Sequence, residues 1–162
     1  MSNKPVEYIS KHSSRNTDNK TGECSRLTVS DTEVYYWNTR MDRVNLVRRG
    51  VSYHAIEAIS KKMNTPVKDM LALLDIPQTT YNKKKRENSL LNGRDSEFIL
   101  LLSELTDFGL EVFNGEEPKF SRWLKKPNLS LAGLTPESLL DSVTGIQEVK
   151  NALNRLEYGN LA

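Results

Sequence analysis

The stretch Trp123-Leu124-Lys125-Lys126-Pro127-Asn128-Leu129-Ser130-Leu131-Ala132-Gly133-Leu134-Thr135-Pro136-Glu137-Ser138-Leu139-Leu140-Asp141 decides how the chain is read. Pro127 stops one helix and Gly133 permits a backbone turn that a side chain would forbid. Thr135-Pro136 then opens the next helix as N-cap and first residue. Two short helices that meet at such an elbow cannot bury their apolar sides alone, so they need the rest of the chain or a partner. A last helix is expected from near Thr144, with Ile146, Val149, Leu153 and Leu156 forming a narrow seam. The end, Glu157-Tyr158-Gly159-Asn160-Leu161-Ala162, is shaped to lie in another protein's cleft, and fraying is its bland alternative.

Towards the N-terminus, Asn92 caps a helix running through Phe98, Leu101, Leu102, Leu105, Phe108, Val112 and Phe113 to a stop at Asn114-Gly115. This is the strongest helical periodicity in the chain, and it suits a shared core or a dimer seam, with the core as the default. Before it, Ser52 opens a segment with Ala55, Ile56, Ile59 and Met63 on one side. Thr65-Pro66 repeats the N-cap pattern ahead of a short apolar helix, Val67 to Leu74. Asp75-Ile76-Pro77 breaks that helix, and Gln78 to Arg86 resumes as a polar, basic one.

A short apolar helix, a three-residue turn and a polar basic helix have the layout of a helix-turn-helix, whose second helix enters a DNA major groove. On that layout Gln78, Thr79, Asn82 and Lys83 face base edges, Lys84, Lys85 and Arg86 face phosphates, and Tyr81 turns inward. Leu71 stands where this motif usually has a small residue, Asp75 where it has Gly, and Lys84 near an apolar position. Asp tolerates the left-handed turn, so the turn survives more easily than tight helix packing does. A helical bundle with a solvated basic face would carry the same residues.

Further upstream, Ser30-Asp31-Thr32-Glu33 has the spacing of a capping box, followed by Val34, Trp37, Met41, Val44 and Val47 or Arg48 at helical spacing and by Gly50 as a C-terminal cap. A helix is therefore expected there, with Tyr35, Tyr36 and Trp37 packing in a core rather than greeting a partner. Residues 1–29 hold few apolar side chains and read as a flexible tail. The expected architecture is all-α, divided into that tail, a helix-turn-helix domain over 30–92 and a helical domain over 93–162.

The charge distribution agrees with two separate surfaces. Residues 40–94 carry twelve basic and five acidic side chains, a balance of +7, whereas residues 95–162 carry six and eleven, a balance of −5. A basic middle suits a polyanion, and an acidic end suits a different partner. Nothing suggests catalysis: there is no Gly-rich phosphate loop, no metal-ligand spacing and no nucleophile beside a base, and His12 and His54 are far apart. No cofactor or metal is expected. No apolar run approaches the length of a membrane span and no signal peptide is evident, so a cytoplasmic protein is expected. The single Cys24 agrees with a reducing compartment.

The order of motifs carries a resemblance over roughly residues 40–162. Leu46-Val47-Arg48-Arg49-Gly50, Asp75-Ile76-Pro77-Gln78-Thr79-Thr80, Trp123-Leu124-x-x-Pro127-Asn128, Leu131-x-Gly133-x-Thr135-Pro136 and Leu153-x-Arg155-Leu156-Glu157-Tyr158-Gly159 together resemble the Xre-type antitoxins of bacterial RES/Xre toxin-antitoxin pairs. That resemblance implies a non-catalytic inhibitor that dimerises and grips a RES-domain, NAD-consuming toxin. Its C-terminal tail would obstruct the toxin's NAD site, and its helix-turn-helix would bind the operon's own promoter. The same resemblance implies that Trp123, Pro127, Asn128, Gly133, Thr135 and Pro136 shape the toxin-binding elbow, and that Arg155, Glu157, Tyr158 and Gly159 reach the toxin. The alternative is a free-standing transcription regulator with a C-terminal dimerisation domain, in which residues 157–162 would be dispensable.

Overall fold

A computed structural model describes residues 6–8 and 24–159. The described chain is predominantly helical, as expected, with one small sheet at its N-terminal side. Strands β1 (Val6–Tyr8), β2 (Ser25–Ser30) and β3 (Glu33–Trp37) form a sheet ordered β1-β3-β2, with β1 parallel and β2 antiparallel to β3. Leu27, Tyr35 and Trp37 face the core, while Arg26, Thr28 and Tyr36 alternate outward. That alternation is the signature of a half-buried strand.

The sheet corrects two expectations. Ser30-Asp31-Thr32-Glu33 does not cap a helix: it turns a hairpin, in which the Thr32 amide donates to the Ser30 hydroxyl at 3.3 Å. The aromatic and β-branched run Val34-Tyr35-Tyr36-Trp37 fits a pleated surface better than a helix. The capping box lies nine residues further on, where the Asp42 amide donates to Thr39 Oγ1 at 3.1 Å and the Thr39 amide donates to Asp42 Oδ2 at 3.0 Å. Residues 25–29, expected in a flexible tail, are strand β2. The rest of that tail, apart from Val6–Tyr8 and Cys24, lies outside the described residues, as do residues 160–162.

From that cap, α1 (Arg40–Arg49) runs to Gly50, the C-cap foreseen. Gly50 has φ +87, and a Cβ there would lie 2.6 Å from the Leu91 carbonyl oxygen, so both conformation and space require glycine. Leu46 is the fully buried residue of α1 and Met41 is exposed. Next come α2 (His54–Lys62), α3 (Val67–Leu74) and α4 (Gln78–Arg86). Thr65 does not cap α3: Pro66 occupies that position and the Thr65 hydroxyl donates backward to the Met63 carbonyl.

The long helix α5 (Gly93–Val112) starts where expected, with Asn92 Oδ1 accepting from the Asp95 amide at 2.8 Å. It buries Phe98, Ile99, Leu102 and Leu105 against the sheet, α1, α2 and α7 (Val143–Tyr158). One continuous core runs from Leu27 to Leu153. Glu104 of α5 ties the sheet and α1 to this core. It accepts from Trp37 Nε1 at 2.6 Å and from Arg43 Nη1 at 2.7 Å. Between α5 and α7 lie α6 (Glu117–Leu124) and two 3-10 turns, Leu129–Leu131 and Pro136–Leu139.

Candidate functional site

Helices α3 and α4 meet through Asp75-Ile76-Pro77. Asp75 adopts φ +55, and the Ile76 amide donates to the Leu71 carbonyl at 2.9 Å, closing a left-handed helix end with an Asp where glycine is commoner. Tyr81 is buried and anchors α4, so Gln78, Thr79, Asn82 and Lys83 lie together on its exposed side. Gln78 Nε2 donates to Asn82 Oδ1 at 3.1 Å, joining the two amides one helical turn apart into one unit.

The basic end of α4 divides into two parts. Lys83 and Arg86 are exposed and Lys84 is half-buried. Lys85 folds back instead, pairing with Glu57 of α2 at 2.5 Å and lying 5.7 Å from the Tyr81 ring centroid. Glu57 also holds Lys61 at 3.2 Å. The Lys85 hydrogen bond holds the Glu57 carboxyl below the ordinary glutamate range, and the same bond raises the Lys85 ammonium. Sequence alone put Lys85 towards phosphates because Glu57 is 28 positions away, and only the tertiary fold brings the two side chains together.

The C-terminal candidates form two groups that touch. Trp123 is half-buried in an aromatic cluster, its ring centroid 6.0 Å from Phe113 and 6.3 Å from Phe120. Gly109 leaves room for Phe120, because a Cβ there would lie 2.3 Å from that ring. After α6, exposed Pro127 leads into Asn128, whose Oδ1 accepts from the Ser130 amide at 2.9 Å and from its hydroxyl at 2.8 Å. Gly133 has φ +79, its neighbour Ala132 φ +54, and the Thr135 hydroxyl caps the next turn by accepting from the Ser138 amide. Arg155 of α7 reaches this elbow, donating from Nη2 to the Ser130 carbonyl at 3.4 Å. Glu157, Tyr158 and Gly159 are exposed at the far end of α7, with Tyr158 69% exposed.

Two residues at the elbow escaped the sequence reading. Leu129 is 96% exposed and Leu134 50%, whereas Leu131 between them is buried. The repeated leucines of Asn-Leu-Ser-Leu signal apolar character, and only the turn geometry separates the outward ones from the inward one. Among the described residues no group of three or more His, Cys, Asp or Glu is placed to hold a metal ion. No helix among them is long and apolar enough to cross a membrane.

The fold and its two exposed surfaces define a helix-turn-helix protein with a small C-terminal helical binding domain. Residues 42–104 match the family model of the antitoxin Xre-like helix-turn-helix domain, and residues 109–159 match that of the antitoxin Xre/MbcA/ParS C-terminal toxin-binding domain. A Sphingobium sp. protein named "Prs ADP-ribosylating antitoxin" is 30% identical over 78% of this chain and 85% of its own length. Two proteins named "Antitoxin Xre" are also similar. The one from Photorhabdus laumondii is 30% identical over 56% of this chain and 62% of its own length, and the one from Yersinia enterocolitica is 27% identical over 72% and 78%. The chain belongs to the Xre/MbcA/ParS family of antitoxins.

Proposed function

We propose that this chain is the antitoxin of a type II toxin-antitoxin pair, which binds a RES-domain, NAD-consuming toxin and obstructs its active site with the C-terminal region. The observation that carries this reading is the placement of Glu157 and exposed Tyr158 on the last turn of α7, at the end of the matched toxin-binding domain. An anionic side chain beside an aromatic ring has the chemistry to occupy a pocket built for a nucleotide's phosphates and base. The Sphingobium relative's name refers to ADP-ribosylation, a reaction that draws on NAD. The chain itself acts by binding, without catalysis, in the cytoplasm.

The helix-turn-helix serves autoregulation in this reading. The linked amides of Gln78 and Asn82 suit adenine edges, exposed Lys83 suits a guanine edge, and Lys84 and Arg86 suit the flanking phosphates. One small module binds DNA weakly, so a homodimer spanning two half-sites on the operon's own promoter is the working form.

The test is co-expression of the tagged chain with the reading frame beside its gene, followed by an assay of NAD consumption. The expected result is a copurified partner that consumes NAD only when the chain is removed or shortened before Glu157. If no partner copurifies and the chain alone binds its upstream DNA, a free-standing regulator is the correct reading.

A further inference from the structure

We propose that Leu129 forms a prebuilt apolar knob that seats in an acid-rimmed apolar socket on the toxin, apart from the C-terminal obstruction of its active site. This deepens, and rests on, the toxin-binding reading above. A single exposed leucine is ordinary on a protein surface. What sets Leu129 apart is how firmly its backbone is held while its side chain touches almost nothing.

The loop from Asn128 to Leu134 is closed on itself. The Asn128 amide donates to the Leu134 carbonyl at 2.9 Å, and the Gly133 amide donates back to the Asn128 carbonyl at 2.9 Å. Inside that ring the Asn128 side chain fixes Ser130, the Ala132 amide reaches the Leu129 carbonyl at 3.2 Å, and Leu131 plugs the loop into the core. Ala132 holds a left-handed conformation that a non-glycine residue avoids, and such strain persists only where surrounding bonds enforce it. Arg155 adds a tie from α7. A backbone already ordered in this way loses little freedom on binding, and an apolar side chain on a rigid mount is how central anchors of protein interfaces are made.

The partner's chemistry follows from the rim. Lys125 and Lys126 are exposed just before the loop, and exposed Arg155 lies against Ser130, the residue next to Leu129. Placing this surface against a second copy across a two-fold axis would bring both sets of cations together at the same contact. A different chain with acidic residues around an apolar socket meets the knob without that repulsion. The knob also lies within the residues matched to the toxin-binding domain.

The test compares full-length wild type, Leu129→Ser, Leu129→Met and Lys126→Glu for binding to the purified protein encoded beside the gene, with thermal melts and chain mass measured in parallel. Leu129→Ser is expected to weaken binding by about 30-fold, mostly through faster dissociation, with an unchanged melting temperature because its side chain contacts solvent. Leu129→Met should stay within about threefold of wild type, and Lys126→Glu should slow association. Equal binding by wild type and Leu129→Ser overturns the knob while leaving the toxin reading intact. So does a Leu129→Ser chain that keeps toxin affinity but dissociates from its own dimer, because the occupant is then a second copy. Absence of wild-type binding is a separate result, and it overturns the toxin reading and the knob with it.

Discussion

Helix α4 and the elbow between α6 and α7 are both short and exposed, yet they are held in place by different means. Helix α4 is seated by Tyr81 and by the Lys85–Glu57 pair, and what it presents to solvent is polar, chiefly Gln78, Thr79, Asn82, Lys83 and Arg86. The elbow is seated by backbone hydrogen bonds closing a small ring, by two successive left-handed residues and by Leu131, and it presents leucines. The difference matches the partners proposed for them. A polyanion attracts mobile cations over about a Debye length, so the surface that meets it needs charge more than shape. A protein partner rewards shape only if that shape exists before contact.

The sharpest way to break the elbow without touching α4 is Gly145→Ala. A Cβ at Gly145 would lie 1.8 Å from the Leu139 carbonyl oxygen, where the first turn of α7 packs on the preceding 3-10 turn. Neither backbone can yield cheaply, so a cost of about 3 kcal/mol and a fall in melting temperature of about 9 °C are expected. Toxin capture should suffer well before DNA binding does, as measured by pull-down and gel shift at one temperature below the melt. Simultaneous loss of both would mean that the two surfaces share one cooperative unit.

The complementary break is the double reversal Lys83→Glu with Lys84→Glu. It should weaken promoter binding by about 100-fold and flatten the dependence of affinity on salt by at least about one counterion, through the lost Lys84 phosphate contact, while toxin inhibition stays intact. A matching loss of inhibition would show that the basic helix also meets the toxin.

The helices of this fold were legible wherever a local signal marked both ends. Asn92 with Asn114-Gly115 bounds α5, and Asp75-Ile76-Pro77 separates α3 from α4, because caps and left-handed stops act within a few residues. The sheet was not legible, because Val34-Tyr35-Tyr36-Trp37 is too short for its alternation to outweigh the helix-like spacing that continues into α1. Its pairing with β2 and β1 depends on residues that read as tail. At the surfaces, the sequence placed Gln78 and Asn82 on one face but could not show that Lys85 turns back to Glu57. It located the elbow by Pro127 and Gly133 but not which leucine points outward. Both omissions concern tertiary contacts or turn geometry rather than local propensity.

The smallest expected effect bears most directly on the contrast between charge and shape. Glu57→Gln removes the carboxylate that holds Lys85 and Lys61 on the protein. Because folding lowers the Glu57 pKa, chiefly through the Lys85 hydrogen bond, its contribution is present at pH values above the ordinary glutamate range. It is lost as pH falls through the lower, folded value. The difference in stability between wild type and Glu57→Gln should therefore be level at neutral pH and close towards zero in acid. Its size is at most about 1 kcal/mol, since the pair is partly exposed and screened by solvent. The same substitution releases Lys85 towards the phosphates, so DNA binding should tighten and its salt dependence steepen by about one counterion. Toxin affinity should not move, because the elbow is held by backbone geometry that Glu57 does not reach. If DNA affinity also fails to move, Lys85 lies beyond the phosphates, and Lys83, Lys84 and Arg86 are the cations through which α4 meets DNA.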